Sequence, residues 1–323
     1  MADIRLRVVV VAWGRSEGLP ACLDAIDAAC AGIGHEVVVV LAPGDPAGVA
    51  TARRATVIVP AAGEASTPGA NRNRGAAGAT ARWLAFVDGD ALLEPDFVPA
   101  ALARLEADRA LGGVGGRVHE RQWEAGRLVR EIPDSYRAGR GGPVEMLATA
   151  WIADRAAFEE VGGFDARLPA EEDVELCIRL AAAGHPVVAL DRRAAYHDCP
   201  PRPSLAEFRR RWRNGLYAGQ GLLLRYAWGT PHFARHLGRQ RLYLGALAYA
   251  VLGGGLAVAA LFSAPDARAA FTGWLWCATF AFVAMALRKG GLMAGALSIA
   301  TWVVLGAGIV RAWALGPRAA GRG

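Results

Sequence analysis

Hydrophobic and polar positions follow two regimes along this chain of 323 residues. Up to Arg241, short apolar runs are separated by amphipathic or polar stretches; beyond it, apolar character is almost continuous. In the first regime, Arg5–Ala12 is a valine-rich run that predicts a strand, and Gly14–Gly18 a polar loop. Leu19–Ala31 then predicts a helix, because Leu19, Cys22, Leu23, Ile26 and Cys30 recur at three- and four-residue steps. Val37–Leu41 is a second valine strand, closed by the turn Pro43-Gly44-Asp45-Pro46. A third short strand over Ala55–Val59 ends at Pro60, and a small-residue helix over Pro68–Ala81 precedes the apolar strand that starts at Trp83. Strands alternating with helices at this spacing predict an α/β nucleotide-binding domain with a mostly parallel sheet and right-handed crossovers.

Further on, Glu94-Pro95-Asp96 has the make-up of a helix start, with a preset proline and acids that complement the positive end. Leu111–Val118 returns a strand to the sheet, and the polar, aperiodic stretch His119–Gly142 reads as a flexible loop. Val174, Cys177, Ile178 and Ala181 share one face of a helix that begins at Glu171-Glu172-Asp173.

The second regime poses a different solvent problem. Leu242–Ser263, Ala269–Leu287 and Leu292–Val310 carry no charge, and each approaches the ~20 residues that cross a bilayer core. They predict a helical membrane region over 236–323 after the α/β domain over 1–235. Arg235, Arg239 and Arg241 before the first segment, with Arg288-Lys289 between the second and third, place those flanks and the α/β domain in the cytoplasm. The expected location is therefore the cytoplasmic membrane, multi-pass. Three full spans would leave Arg311, Arg318 and Arg322 outside, against the same rule, so one segment reads as re-entrant or interfacial. Trp274, Trp276, Trp302 and Trp313 fit an aromatic belt only in part.

Composition adds little beyond this. The chain is 54% hydrophobic with a net charge of +6, carried by arginine with Lys289 as the sole lysine. No basic stripe interleaves with aromatics, so nucleic acid is not an expected partner, and a basic surface beside an anionic membrane is the better use of the charge. Five scattered cysteines without a Cys-x-x-Cys spacing fit a reduced compartment. The apolar run at Ile4–Ala12 is too short for a signal peptide.

Two acidic clusters carry the candidate chemistry. The apolar strand from Trp83 ends in Asp88-Gly89-Asp90, at the carboxyl end where open α/β sheets bind ligands. Two alternating carboxylates can hold one hard divalent cation that bridges to phosphate oxygens, and the glycine between them lets an anionic substrate approach the backbone. The same residues are also ordinary turn formers. At Glu171-Glu172-Asp173, helix capping accounts for one acid but not three. A carboxylate fixed there is suited to taking a proton from an attacking hydroxyl.

Phe86-Val87-Asp88-Gly89-Asp90, preceded by Arg72-Asn73-Arg74-Gly75 and followed by Gly162-Gly163-Phe164-Asp165 and Glu172-Asp173-Val174-Glu175-Leu176, resembles glycosyltransferase family 2. Those are inverting, nucleotide-sugar-dependent enzymes of the GT-A fold, and the ordered motifs span about residues 5 to 215. The resemblance implies that Asp88 contacts the nucleotide and supports the metal, and that Asp90 ligates the Mg²⁺ or Mn²⁺ that bridges the donor diphosphate. It makes Asp173 the catalytic base, with Glu172 shaping its site, and puts Arg72 and Asn73 beside the donor. His197 falls where some members carry a histidine that meets the metal or diphosphate. Phe208-Arg209-Arg210-Arg211-Trp212 resembles a Gln-x-x-Arg-Trp motif with phenylalanine in place of glutamine. Arg211 is then expected at the leaving diphosphate and Trp212 at the acceptor sugar, while the departure argues against processive polymerisation.

The chain also departs from the family in its Leu41-Ala42-Pro43-Gly44-Asp45 loop. An acid that reads the nucleobase is usual after the second strand, and Asp45 is the shifted substitute. The expected activity is metal-dependent, inverting transfer from a nucleotide-sugar donor to a membrane-associated, lipid-linked glycan. Transfer to a polyprenyl phosphate, or a catalytically silent sugar-nucleotide or partner-binding protein, are the alternatives.

Overall fold

The computed structural model describes residues 4–12, 18–42, 55–61, 63–64, 66–139, 141–201, 205–262 and 265–317. The chain forms two compact units, Met1–Pro201 and Arg202–Gly323.

The first unit is built on a mixed sheet of ten strands: β1 (Leu6–Ala12), β2 (His35–Leu41), β3 (Thr56–Ile58), β4 (Trp83–Asp88), β5 (Ala91–Leu93), β6 (Gly113–Glu124), β7 (Arg127–Ile132), β8 (Gly142–Pro143), β9 (Ala150–Asp154) and β10 (Val187–Cys199). Its helices are α1 (Leu19–Ala29), α2 (Pro68–Ala76), α3 (Phe97–Ala107), α4 (Arg155–Glu160) and α5 (Glu172–Ala182). The strand order is β3-β2-β1-β4-β9-β6-β10-β5. The first four strands are parallel, as the alternating pattern predicts. β9 is inserted antiparallel between β4 and β6.

β4 reads as a continuous apolar run because both its faces are buried. Trp83, Ala85 and Val87 join the core under α1 and α3, whereas Leu84 and Phe86 join a second core with Trp151, Phe158 and Phe164 on the side of α4 and α5. The two cores fix β4 in depth, and with it the height at which Asp88 and Asp90 emerge.

Three expectations need correction. His119–Gly142 is not a loop in its first part: β6 continues to Glu124, turns at Ala125-Gly126 and returns as β7 to Ile132, beyond which residues 133–139 are irregular. Both turn residues have positive φ, 49° and 75°, as a tight two-residue hairpin requires. The pattern hid this strand because β7 is exposed along almost its whole length, so no buried face imposes alternation. The second helix stops at Ala76 rather than Ala81; Ala77 is extended and Gly78 has φ 67°. Finally, the glycine in Asp88-Gly89-Asp90 is already required by the neighbouring strand, before any substrate approaches it. A Cβ on Gly89 would lie 2.7 Å from the Cβ of Ala12, and the Gly89 amide donates to the Val11 carbonyl at 2.9 Å.

The second unit contains α6 (Leu205–Arg213), α7 (Gly219–Ala227), α8 (Phe233–Arg239), α9 (Arg241–Phe262), α10 (Pro265–Lys289) and α11 (Leu292–Leu315). The last three are long and apolar enough to cross a membrane, with mean hydropathies of 2.0, 1.7 and 1.9. Tyr249 stacks on Trp274 at 5.1 Å, joining α9 to α10. Glycines bring α11 against its neighbours: Gly295 faces Ala286, Gly306 faces Tyr243 and Leu247, and Gly308 faces the Tyr217 carbonyl. Residues ahead of the apolar helices are part of this packing, since Gly221 of α7 lies against Ile309 and Ala312.

Candidate active site

The site of the first unit is organised by Arg72, on the first turns of α2. Thr67 caps that helix by accepting from the Ala70 amide at 3.1 Å, and Pro68 follows at its start. Gly75 lets α2 approach β1, because a Cβ there would meet Val9 at 2.2 Å. The Arg72 side chain is only 7% exposed and is met by three carboxylates. Its Nη1 donates to Glu172 Oε1 at 2.6 Å and lies 3.4 Å from Asp173 Oδ1, while Nη2 donates to Asp88 Oδ1 at 2.8 Å. The carboxylates hold the guanidinium firmly charged despite its burial, and Phe164 lies under it at 5.4 Å.

Asp173 Oδ1 is buried with no hydrogen-bond partner. Burial first, then the carboxylates of Glu172, Asp88 and Glu171, raise its pKa well above the usual carboxylate range, against the opposing pull of Arg72. A carboxyl group so placed is a poised proton acceptor. Its helix starts under strain, as Glu171 sits at the N-cap with φ 71° and makes no side-chain cap. Capping thus explains none of the three acids: Glu172 turns to Arg72 and Asp173 towards the same centre.

The turn that carries α5 is held to α2. The Asn73 Nδ2 group donates to the Phe164 carbonyl at 2.8 Å, and its Oδ1 accepts from the Phe164 amide at 2.9 Å. Thr67 Oγ1 donates to the Ala166 carbonyl at 2.8 Å. From α5 itself, Arg179 donates to the Val161 and Gly163 carbonyls. Gly162 and Gly163 both have positive φ, and a Cβ on Gly163 would lie 2.8 Å from Asn73 Oδ1. The Gly-Gly-Phe-Asp motif is the shape this clasp demands.

On the other side of the strand end, Asp90 Oδ2 lies 3.5 Å from His197 Nε2. Cys22 donates to the Asp88 carbonyl at 3.5 Å, and burial together with Asp90 and Asp88 pushes its thiol up, so that it stays protonated. Asp90 and His197 bring an oxygen and a nitrogen donor together, a pair that could contribute to holding a divalent cation such as Mn²⁺.

The site residues expected from sequence do not all come together. Arg72, Asp88, Glu172 and Asp173 converge, and Asp90 and His197 stand together. Asn73 adjoins this centre but its amide is engaged with Phe164. Arg211 and Trp212 lie on α6 of the second unit, where Arg211 Nε donates to Glu207 Oε1 at 2.8 Å and Trp212 is exposed. Asp45 lies outside the described residues. The hub role of Arg72 was missed, since only its distance of a hundred residues from Glu172 hides the pairing.

A mixed sheet with a parallel nucleotide-binding half, a strand ending in Asp-x-Asp and a helix presenting a buried acid define the GT-A class. The profile of glycosyltransferase-like family 2 matches residues 4–216; the chain belongs to this family and is a glycosyltransferase. Among solved structures, it resembles the mannosyltransferase PcManGT from Pyrobaculum calidifontis in complex with GDP-Man and Mn²⁺, with a TM-score of 0.62 and 20% identity over 96% of this chain and 86% of that one. It also resembles S. aureus TarS 1-349, with a TM-score of 0.51 and 15% identity over 72% and 68% of the two chains. Both are likenesses of fold. No curated protein matches the sequence.

Proposed function

We propose that this glycosyltransferase is a membrane-anchored, inverting enzyme that moves a sugar from a nucleotide-sugar donor to a hydroxyl of a membrane-associated, lipid-linked acceptor. The observation that carries the proposal is the convergence of Asp88, Glu172 and Asp173 on Arg72, with Asp90 beside His197. Asp173 is the base: its buried Oδ1, free of hydrogen bonds, takes the proton of the acceptor hydroxyl as that oxygen attacks the anomeric carbon. Glu172 and Arg72 hold Asp173 in position. Asp90, Asp88 and His197 would hold Mg²⁺ or Mn²⁺, which would supply stabilisation of charge on the departing diphosphate. A single displacement inverts the anomeric centre. The roles that the family resemblance implies for Asp45, Arg211 and Trp212 enter the proposal unchanged. GDP-Man in the P. calidifontis protein supports testing GDP sugars first.

The membrane unit supports a multi-pass anchor with the catalytic domain in the cytoplasm. Since Tyr249 stacks on Trp274, the start of α9 and the end of α10 lie at one end of a hairpin. α11 meets α10 at Ala286, three residues before its end, and meets α9 at Tyr243 and Leu247, within its first two turns. α11 therefore packs on both members of the hairpin. Its own Arg311, with Arg318 and Arg322, would meet the positive-inside rule if one of the three segments is re-entrant or interfacial.

The test is nucleoside diphosphate release by the detergent-purified chain with GDP, UDP and dTDP sugars and a membrane-lipid extract, in Mn²⁺ or EDTA, beside Asp90→Ala and Asp173→Asn. Turnover that needs the cation and is lost in both variants is expected. Donor binding without turnover in the wild type would overturn the proposal in favour of a silent binder. A lipid product labile to mild acid would reassign the acceptor to a polyprenyl phosphate.

A further inference from the structure

β10 does not end at His197 but continues to Cys199, and β6 places Glu120 opposite His197 in parallel register. Residues two apart on a strand point to one face, so His197 and Cys199 are neighbours there. Register shifts around Arg193 come just before this stretch; such bulges re-aim the side chains beyond them. Glu120, His197 and Cys199 each bring a ligand atom to within 4.8 Å of the others. Glu120 is 5% and Cys199 6% exposed, and Gln122 Nε2 fixes the carboxylate by donating to Glu120 Oε1 at 2.7 Å.

Thiolate, imidazole and carboxylate form the donor set of a borderline-soft ion with an open fourth position, unlike the oxygen shell that Mg²⁺ takes. We propose that Glu120, His197 and Cys199 are a second cation site, selective for Zn²⁺ or a similar thiophilic divalent ion, that shares His197 with the Asp88/Asp90 site. On binding, the Cys199 S–H proton leaves to solvent as the sulfur–metal bond forms, and nothing is oxidised. The sharing follows from the position of His197 Nε2, 3.5 Å from Asp90 Oδ2. An ion on Nε2 takes that nitrogen from the donor cation directly. An ion on Nδ1 leaves Nε2 protonated and donating to Asp90, with the same result. Zn²⁺ in this site therefore weakens Mn²⁺ at Asp88 and Asp90. That last consequence rests on the role proposed above for Asp90 and His197; the site itself does not.

The experiment is a Co²⁺ titration of the full, chelator-stripped chain in detergent, followed by the near-ultraviolet charge-transfer absorption that reports a thiolate–cobalt bond. The wild type is expected to develop the band, to lose it to added Zn²⁺ and to keep it in added Mg²⁺. Cys199→Ser abolishes the band, and Glu120→Gln weakens Co²⁺ about tenfold or more. No band in the wild type, or a band that survives in Cys199→Ser, overturns the site. In the turnover assay, Zn²⁺ should raise the Mn²⁺ needed for half-maximal activity about tenfold in the wild type and leave Cys199→Ser unaffected. A Cys199-dependent band without that shift keeps the site and overturns the sharing of His197.

Discussion

Arg72 Nη1 donates to Glu172 Oε1 at 2.6 Å, joining α2, the helix that precedes β4, to α5. Through its other nitrogen the same guanidinium holds Asp88, so one cation sets the separation between the acid at the end of β4 and those at the start of α5. Arg72→Ala leaves three neighbouring carboxylates without their counter-charge and is expected to cost about 3–5 kcal/mol of stability. Arg72→Lys restores charge but not the two-pronged reach, so it should recover part of the thermal stability in detergent and little of the turnover.

Asn73→Ala removes both hydrogen bonds to the Phe164 backbone, expected to cost about 1–3 kcal/mol. Because that clasp positions α5, kcat should fall while KM for the donor stays near its wild-type value. A rise in KM alone would instead assign Asn73 to donor contact.

Asp173 must be ionised to accept a proton. Burial and its acidic neighbours raise its pKa, so activity is lost as pH falls through that raised value, and the acidic limb of kcat/KM should lie above the ordinary aspartate value of about 3.9. The sign for stability is opposite. Ionising this group is penalised in the fold as pH rises above the unfolded pKa. Asp173→Asn should therefore abolish turnover yet raise the melting temperature at neutral pH.

Gly89→Ala forces a Cβ against Ala12 and is expected to destabilise by about 1–3 kcal/mol. The same displacement moves Asp88 and Asp90 apart, so the Mn²⁺ concentration for half-maximal turnover should rise. Unchanged Mn²⁺ dependence would show that the acids do not rely on this packing.

A reporter fused after Gly323 should read as cytoplasmic, as the positive-inside rule expects for Arg311, Arg318 and Arg322. One placed between residues 262 and 265 should read as external. A C-terminal reporter on the outside would restore three full spans.

The parallel half of the fold was legible because Val8, Val10, Val38, Val40, Phe86 and their neighbours are buried in a double-faced sheet, where continuous apolar runs are obligatory. The β6–β7 hairpin was not, since β7 buries no face and leaves no period in the sequence. The acids of the site were visible as clusters at element ends. What joins them was not: Arg72 lies 100 positions from Glu172, and Asn73 lies 91 from Phe164. A sequence pattern records faces of elements, not partners across a fold. Glu120 and Cys199 were hidden as partners of His197 for the same reason, because the three face one another only once β6 and β10 pair.

The Asn73–Phe164 clasp also sets an order of events during synthesis. Until Phe164 has emerged and docked, Asn73 lacks that partner and Arg72 has only Asp88 within short sequence range, 16 residues away. The 91 residues between Asn73 and Phe164 exceed the 29 between paired Leu6 and His35, so the clasp closes after β1–α1–β2. A nascent chain therefore completes its parallel strands before α5 can dock, so the proposed donor side is shaped first and the proposed base is placed last.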